Sequence, residues 1–133
     1  MLTKQSICPA NSAPPVGPYS PAVRVGDFLY CSGQIPLDPV TGNLVATIDI
    51  RPQVEQSLRN VQALLEASGL TFANVVKATV FLTDMDNLAR YREARNRFFD
   101  SVTPRAAPAV TLVEVSRLYG PDFLIEIEAI AAA

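Results

Sequence analysis

The chain has 133 residues, 49% of them hydrophobic, which is enough apolar material for a single domain (1–133) with a real core. Eleven Lys and Arg stand against thirteen Asp and Glu, a net charge of −2, and that balance argues against phosphate-backbone binding through clustered positive charge as the main activity. There is no histidine, and the only cysteines are Cys8 and Cys31, so neither a Cys/His metal site nor a secreted disulfide scaffold is expected, and the two thiols read as free.

The first 17 residues, MLTKQSICPANSAPPVG, lack the apolar core of about 7–15 residues that a signal peptide carries, and no apolar run approaches the ~18 residues of a membrane span. A soluble, cytoplasmic protein without a membrane partner is expected. The segment APPVGPY reads as extended loop, because each proline fixes its own φ and restricts the residue before it. AVRV (22–25) and FLYCS (28–32) are strand-like, and Gly26-Asp27 is a two-residue connection of the kind a type II′ hairpin uses. DPVTGN (38–43) then reverses the chain.

In RPQVEQSLRNVQALLEASG, Val54, Leu58, Val61 and Leu65 recur at steps of four, three and four, giving one apolar helical face. Pro52 suits the first turn and Gly69 the C′ position. VVKATVFLT (75–83) reads as a buried strand. A second helix is expected from an N-cap at Asp86 through Phe99, with Leu88, Tyr91 and Phe98 in its stripe. On it, Arg90 can pair with Glu93 and Glu93 with Arg97, while Arg92 and Arg95 have no such partner. Strands at about 109–115 and 123–132 complete the order ββ-α-β-α-ββ, an α+β domain with helices on one face of a sheet.

The last strand carries two glutamates. Period-two alternation puts Ile125, Ile127 and Ala129 on one face and Glu126 and Glu128 on the other. They either lie on a solvated face or one of them lines a pocket and holds water or substrate.

Five phrases carry a resemblance: GPYSPAV, FLYCSGQIPLDPVTGNLV, QSLRNVQALLEASGL, VVKATVFLTDM, and VEVSRL followed by IEIEAIA. In this order and spacing they resemble the Rid family, the reactive-intermediate (enamine/imine) deaminases, also called the YjgF or L-PSP endoribonuclease family, over nearly the whole chain. The resemblance implies a chorismate-mutase-like α+β fold on a mixed sheet. It also implies a homotrimer with small-molecule clefts at its subunit interfaces and no cofactor or metal. By motif, Tyr19 closes the cleft, Ser32 sits in its Ser-Gly-Gln wall, and Glu126 faces the ligand or its water. Cys31, with no cation beside it in sequence, reads as a small core residue.

One departure bears on substrate. Deaminases of this family carry a Pro-Ala-Arg phrase just before Val-Glu-Val, and that arginine binds the substrate carboxylate. Counted back from Val113-Glu114-Val115, the phrase here is Pro108-Ala109-Val110, and Leu112 stands where cysteine is common. Counted forward from Phe99, Arg105 would fill the slot, at the expense of an insertion inside a strand; loops absorb insertions more readily, which favours Val110. Arg92 falls where many members have asparagine, as a relocated anion clamp or as a side chain covering apolar surface. The expected function is a cofactor-free hydrolase of enamines, imines or related small unsaturated compounds, other than the ordinary 2-iminobutanoate type. A non-catalytic ligand-binding trimer and, lower, a ribonuclease are the alternatives.

Overall fold

The computed structural model describes residues 2–12, 14–102 and 107–133. Among these are six strands, β1 (Lys4–Ile7), β2 (Ala22–Val25), β3 (Phe28–Gln34), β4 (Val75–Leu82), β5 (Ala109–Glu114) and β6 (Ile125–Ala132), and two helices, α1 (Ile50–Ala67) and α2 (Leu88–Asp100). Gly26 adopts φ 57 while Asp27 stays negative, so the Gly-X turn closes the β2–β3 hairpin as expected. The sheet order is β1-β2-β3-β6-β4-β5. β4 and β5 run parallel, joined through α2, and every other pair is antiparallel.

Both helices cover one face of this mixed sheet. Val54, Leu58, Val61 and Leu65 of α1 and Tyr91, Ala94 and Phe98 of α2 pack on Leu29, Cys31, Val80, Leu82, Ile125 and Ile127. Asp49 caps α1 by accepting from the Arg51 N–H at 3.0 Å. Its other end closes as a Schellman turn: Leu70 N–H donates to Leu65 O, Gly69 N–H donates to Glu66 O, and Gly69 sits at φ 72.

Three expectations need correction. β1 precedes the expected elements; it is a polar, exposed edge strand that exists through backbone pairing with β2 rather than through an apolar pattern. Asp86 is not the cap of α2. Asp84 accepts from the Asp86 N–H at 2.9 Å to cap a 3₁₀ turn (Met85–Asn87), and α2 begins only at Leu88. Glu93 pairs with Arg51 of α1 at 3.5 Å rather than along its own helix, because α1 packs directly beside it.

Candidate functional site

β3 pairs with β6 through Cys31↔Ala129 and then through Gln34↔Ile127, so Ser32 and Gly33 together stand opposite Glu128. That extra residue is a β-bulge, a device that re-aims backbone and side chains at a sheet surface. Ser32 is held firmly there. Its N–H donates to Pro21 O at 2.9 Å, its Oγ donates to Ser20 O at 2.7 Å, and its carbonyl accepts from Gln34 Nε2 at 2.9 Å.

The proline-rich loop forms the adjoining wall. Tyr19 N–H donates to Gly17 O at 2.9 Å, and its Oη accepts from the Val16 N–H at 3.3 Å. Tyr19 stays half-exposed, and with Pro21, Gly33 and Gln34 it lines a small cavity of ≈ 20 Å³. Ala13, at the start of this loop, lies outside the described residues.

Glu126 meets Gly33 from β6, where it is paired with Phe81 of β4. A Cβ on Gly33 would lie 2.6 Å from Glu126 Cδ and 2.7 Å from Oε1, so only glycine leaves room for the carboxylate. Glu126 is half-buried and has no hydrogen bond or ion pair among the described residues. Burial pushes its carboxyl above the usual carboxylate range, and the neighbouring charge of Glu128 adds to the shift. Glu128 itself is exposed. Cys31 points into the core, where burial pushes its thiol up to about 12; such a thiol is inert. Cys8 is free and exposed.

The remaining sequence-derived residues lie elsewhere. Val110 and Leu112 pair with Ala78 and Val80, on the helix-covered face of the edge strand β5, opposite to the face that carries Glu126. Leu112 packs against the core, whereas Val110 is 53% exposed. Val110 lines a cavity of ≈ 530 Å³ whose walls are mostly apolar, including Val61, Phe72, Val80 and Phe99. Arg95 also lines it, stacked over the Tyr91 ring at 5.5 Å and donating to Asn96 Oδ1. Arg92 is exposed on α2 and is not among the lining residues. Arg105 lies outside the described residues. Within one chain, Tyr19 and Gly33 line one small cavity, Glu126 lies over Gly33 beside Ser32, and Val110, Leu112 and Arg92 lie apart from Glu126.

Two features escaped sequence reasoning. Gly33 reads as part of a strand phrase, and its role appears only when Glu126 is seen lying over it. Arg95, rather than Arg92, faces the apolar cavity; its i+4 spacing from Tyr91 was the available signal. Among the described residues no group of three or more His, Cys, Asp or Glu side chains could hold a metal ion, and no helix is long and apolar enough to cross a membrane.

The family model for endoribonuclease L-PSP matches residues 10–133. The chain belongs to this family, known also as Rid or YjgF. It is 46% identical over 128 residues to a RutC family protein of Pyrococcus horikoshii, covering 96% of this chain and 97% of the relative. It is 41% identical over 127 residues to the Escherichia coli 2-iminobutanoate/2-iminopropanoate deaminase, covering 96% of each. Among solved structures, the E. coli YjgF gene product superposes with TM-score 0.89 at 41% identity, covering 96% of this chain and 98% of that one. E. coli TdcF, solved with bound serine, gives TM-score 0.89 at 37% identity over 97% and 98% of the two chains. The Rid fold is thus established.

Proposed function

We propose that this Rid protein is a cofactor-free hydrolase that converts a small imine or enamine to a carbonyl compound and ammonia, with Glu126 as its acid–base group. The observation that carries this is the Glu126 carboxylate: half-buried, without a partner among the described residues, and seated over Gly33 at the bulge. Burial, with the neighbouring charge of Glu128, raises its pKa and so favours the protonated form that hands a proton to the leaving nitrogen. Water adds to the carbon of the protonated imine, Glu126 accepts the proton that water loses, and the neutral carbinolamine forms. The same carboxyl gives that proton to the nitrogen, and as the C–N bond breaks it takes the hydroxyl proton, which passes to the departing ammonia; the carbonyl compound and ammonium remain. Tyr19 and the Ser32–Gly33 backbone orient the substrate, and orientation supplies much of the rate when the carbon is already reactive.

The site is completed between copies of the chain, as a homotrimer would do, since the exposed Val110 and Arg92 lie away from Glu126 within one protomer. The cavity beside Val110 supports a substrate with an apolar group there rather than the carboxylate that an arginine would clamp. The similarity to the E. coli 2-iminobutanoate/2-iminopropanoate deaminase supports the reaction class, while Val110 argues for a different substrate.

The test is ammonia release from imines generated in situ, comparing the alanine-derived imino acid made by an amino-acid oxidase with carboxylate-free imines made by a flavin amine oxidase from benzylamine and isopentylamine. Faster turnover of the apolar imines, abolished in Glu126→Gln, is expected. Ammonia release no faster than the uncatalysed rate would leave a ligand-binding protein, and turnover unchanged by Glu126→Gln would take the acid–base role away from this carboxylate.

A further inference from the structure

α1 carries a second stripe, polar and buried. Gln53, Ser57 and Asn60 are 0%, 0% and 2% exposed and follow at steps of four and three, so they share one face. A buried amide is costly unless its donors and acceptor are matched. Gln53 matches all of them on two loops: Nε2 donates to Ala46 O at 2.6 Å and to Asp122 O at 2.8 Å, and Oε1 accepts from the Leu124 N–H at 2.8 Å. Asn60 Nδ2 donates to Ile35 O at 3.1 Å and Leu37 O at 3.0 Å, and its Oδ1 accepts from Gln56 Nε2 at 2.9 Å.

These loops flank the candidate site. Leu124 lies two residues before Glu126, and Ile35 lies two residues after Gly33. One amide therefore holds the segment that enters β6 and the other holds the segment that leaves β3, and both are fixed to a single rigid helix. Ser57 Oγ, between them, has no hydrogen-bond partner, so the two amides carry the contacts. We propose that Gln53 and Asn60 are positioning residues whose separation on α1 sets how the Glu126 carboxylate sits over Gly33. This rests on the reading of Glu126 as the acid–base group. It adds that the site's spacing is dictated from the far side of the core, by groups that never touch substrate.

The experiment compares Gln53→Met and Asn60→Leu with Leu65→Ala, a core substitution near the other end of α1. Kinetics and a crystal structure are obtained for each, and Gln53→Glu, which keeps the acceptor for Leu124, replaces Gln53→Met if that chain does not fold. A misplacement of about 1 Å should cost on the order of 10²-fold in kcat, with KM changed less than about threefold. Leu65→Ala should lose stability without that kinetic signature. In a Glu126→Gln background, Gln53→Met should cost nothing further, because it acts only through the carboxylate. Losses that multiply, or a kcat loss no greater than that of Leu65→Ala, would overturn the proposal. If the wild type turns over no imine, the assigned reaction has failed, and the crystal structures still decide this point. A carboxylate shifted from Gly33 by about 1 Å supports it, and one left in place overturns it.

Discussion

Around Glu126 the neighbouring groups are fixed: Ser32 is bonded through its N–H, hydroxyl and carbonyl, Gln34 is buried, and Gly33 is cut back to make room. Around Val110 the wall is apolar, the strand is an edge, and the one cation that lines it among the described residues, Arg95, rests on an aromatic ring. The first region is organised to hold one carboxylate in one place. The second is organised to accept shape. A reaction site that keeps its chemistry while changing its substrate would be divided in this way, with the proton-transfer group on a bulged, hydrogen-bonded strand and selectivity on a wall that tolerates substitution.

That contrast is broken most severely by removing the carboxylate. Glu126→Gln should reduce kcat for imine hydrolysis by roughly 10²–10⁴-fold, the usual worth of a positioned acid–base group, while Glu128→Gln changes it little. A larger loss from Glu128→Gln in steady-state assays would transfer the role.

Val110→Arg sharpens the other side. A bidentate arginine contributes charge-assisted hydrogen bonds of about 1.5–3 kcal/mol each, so kcat/KM for small imino acids should rise, by up to several hundred-fold, as that for apolar imines falls. Smaller, and confined to the first region, is Gly33→Ala. Its methyl would stand 2.6 Å from Glu126 Cδ and must push the carboxylate aside, lowering kcat about tenfold or more with the fold intact by circular dichroism.

The smallest effect is on stability. The fold raises the Glu126 pKa, so it favours the protonated form; that contribution is full below the ordinary carboxylate range and is lost as pH rises through the folded value. Gln carries no such charge. The Tm of Glu126→Gln should therefore gain on the wild type as pH rises above the ordinary carboxylate range of about 4. Parallel curves would mean that the carboxylate is as well solvated as Glu128.

Much of the fold was legible because its signals are local. Gly26-Asp27, the Val54–Leu58–Val61–Leu65 stripe and the C′ Gly69 each declare an element through nearby residues alone. β1 was not legible, since Lys4, Gln5 and Ser6 offer no alternation and the strand is held by partners about 20 residues away. Gln53 and Asn60 were hidden for a related reason: polar residues beside an apolar stripe read as surface, and what satisfies them lies up to 71 residues away. Periodicity placed Glu126 and Glu128 on one face and could not separate them. The bulge at Ser32-Gly33 does so, by burying one carboxylate and leaving the other exposed. Val110 was identified by motif, but no pattern in the sequence shows that it faces the helices while Glu126 faces away.

Mixing two inactive chains tests most directly whether the two regions meet across copies. Glu126→Gln lacks the acid–base group, and Val110→Asp puts a charge on the apolar wall; each alone should be nearly inactive on apolar imines. Co-refolded, the chains should form hybrids in which some interfaces pair an intact Glu126 with an intact Val110, and ammonia release should recover to a sizeable fraction of the wild-type rate. Hybrids confirmed by native mass spectrometry that stay as inactive as their parents would contradict a site shared between chains.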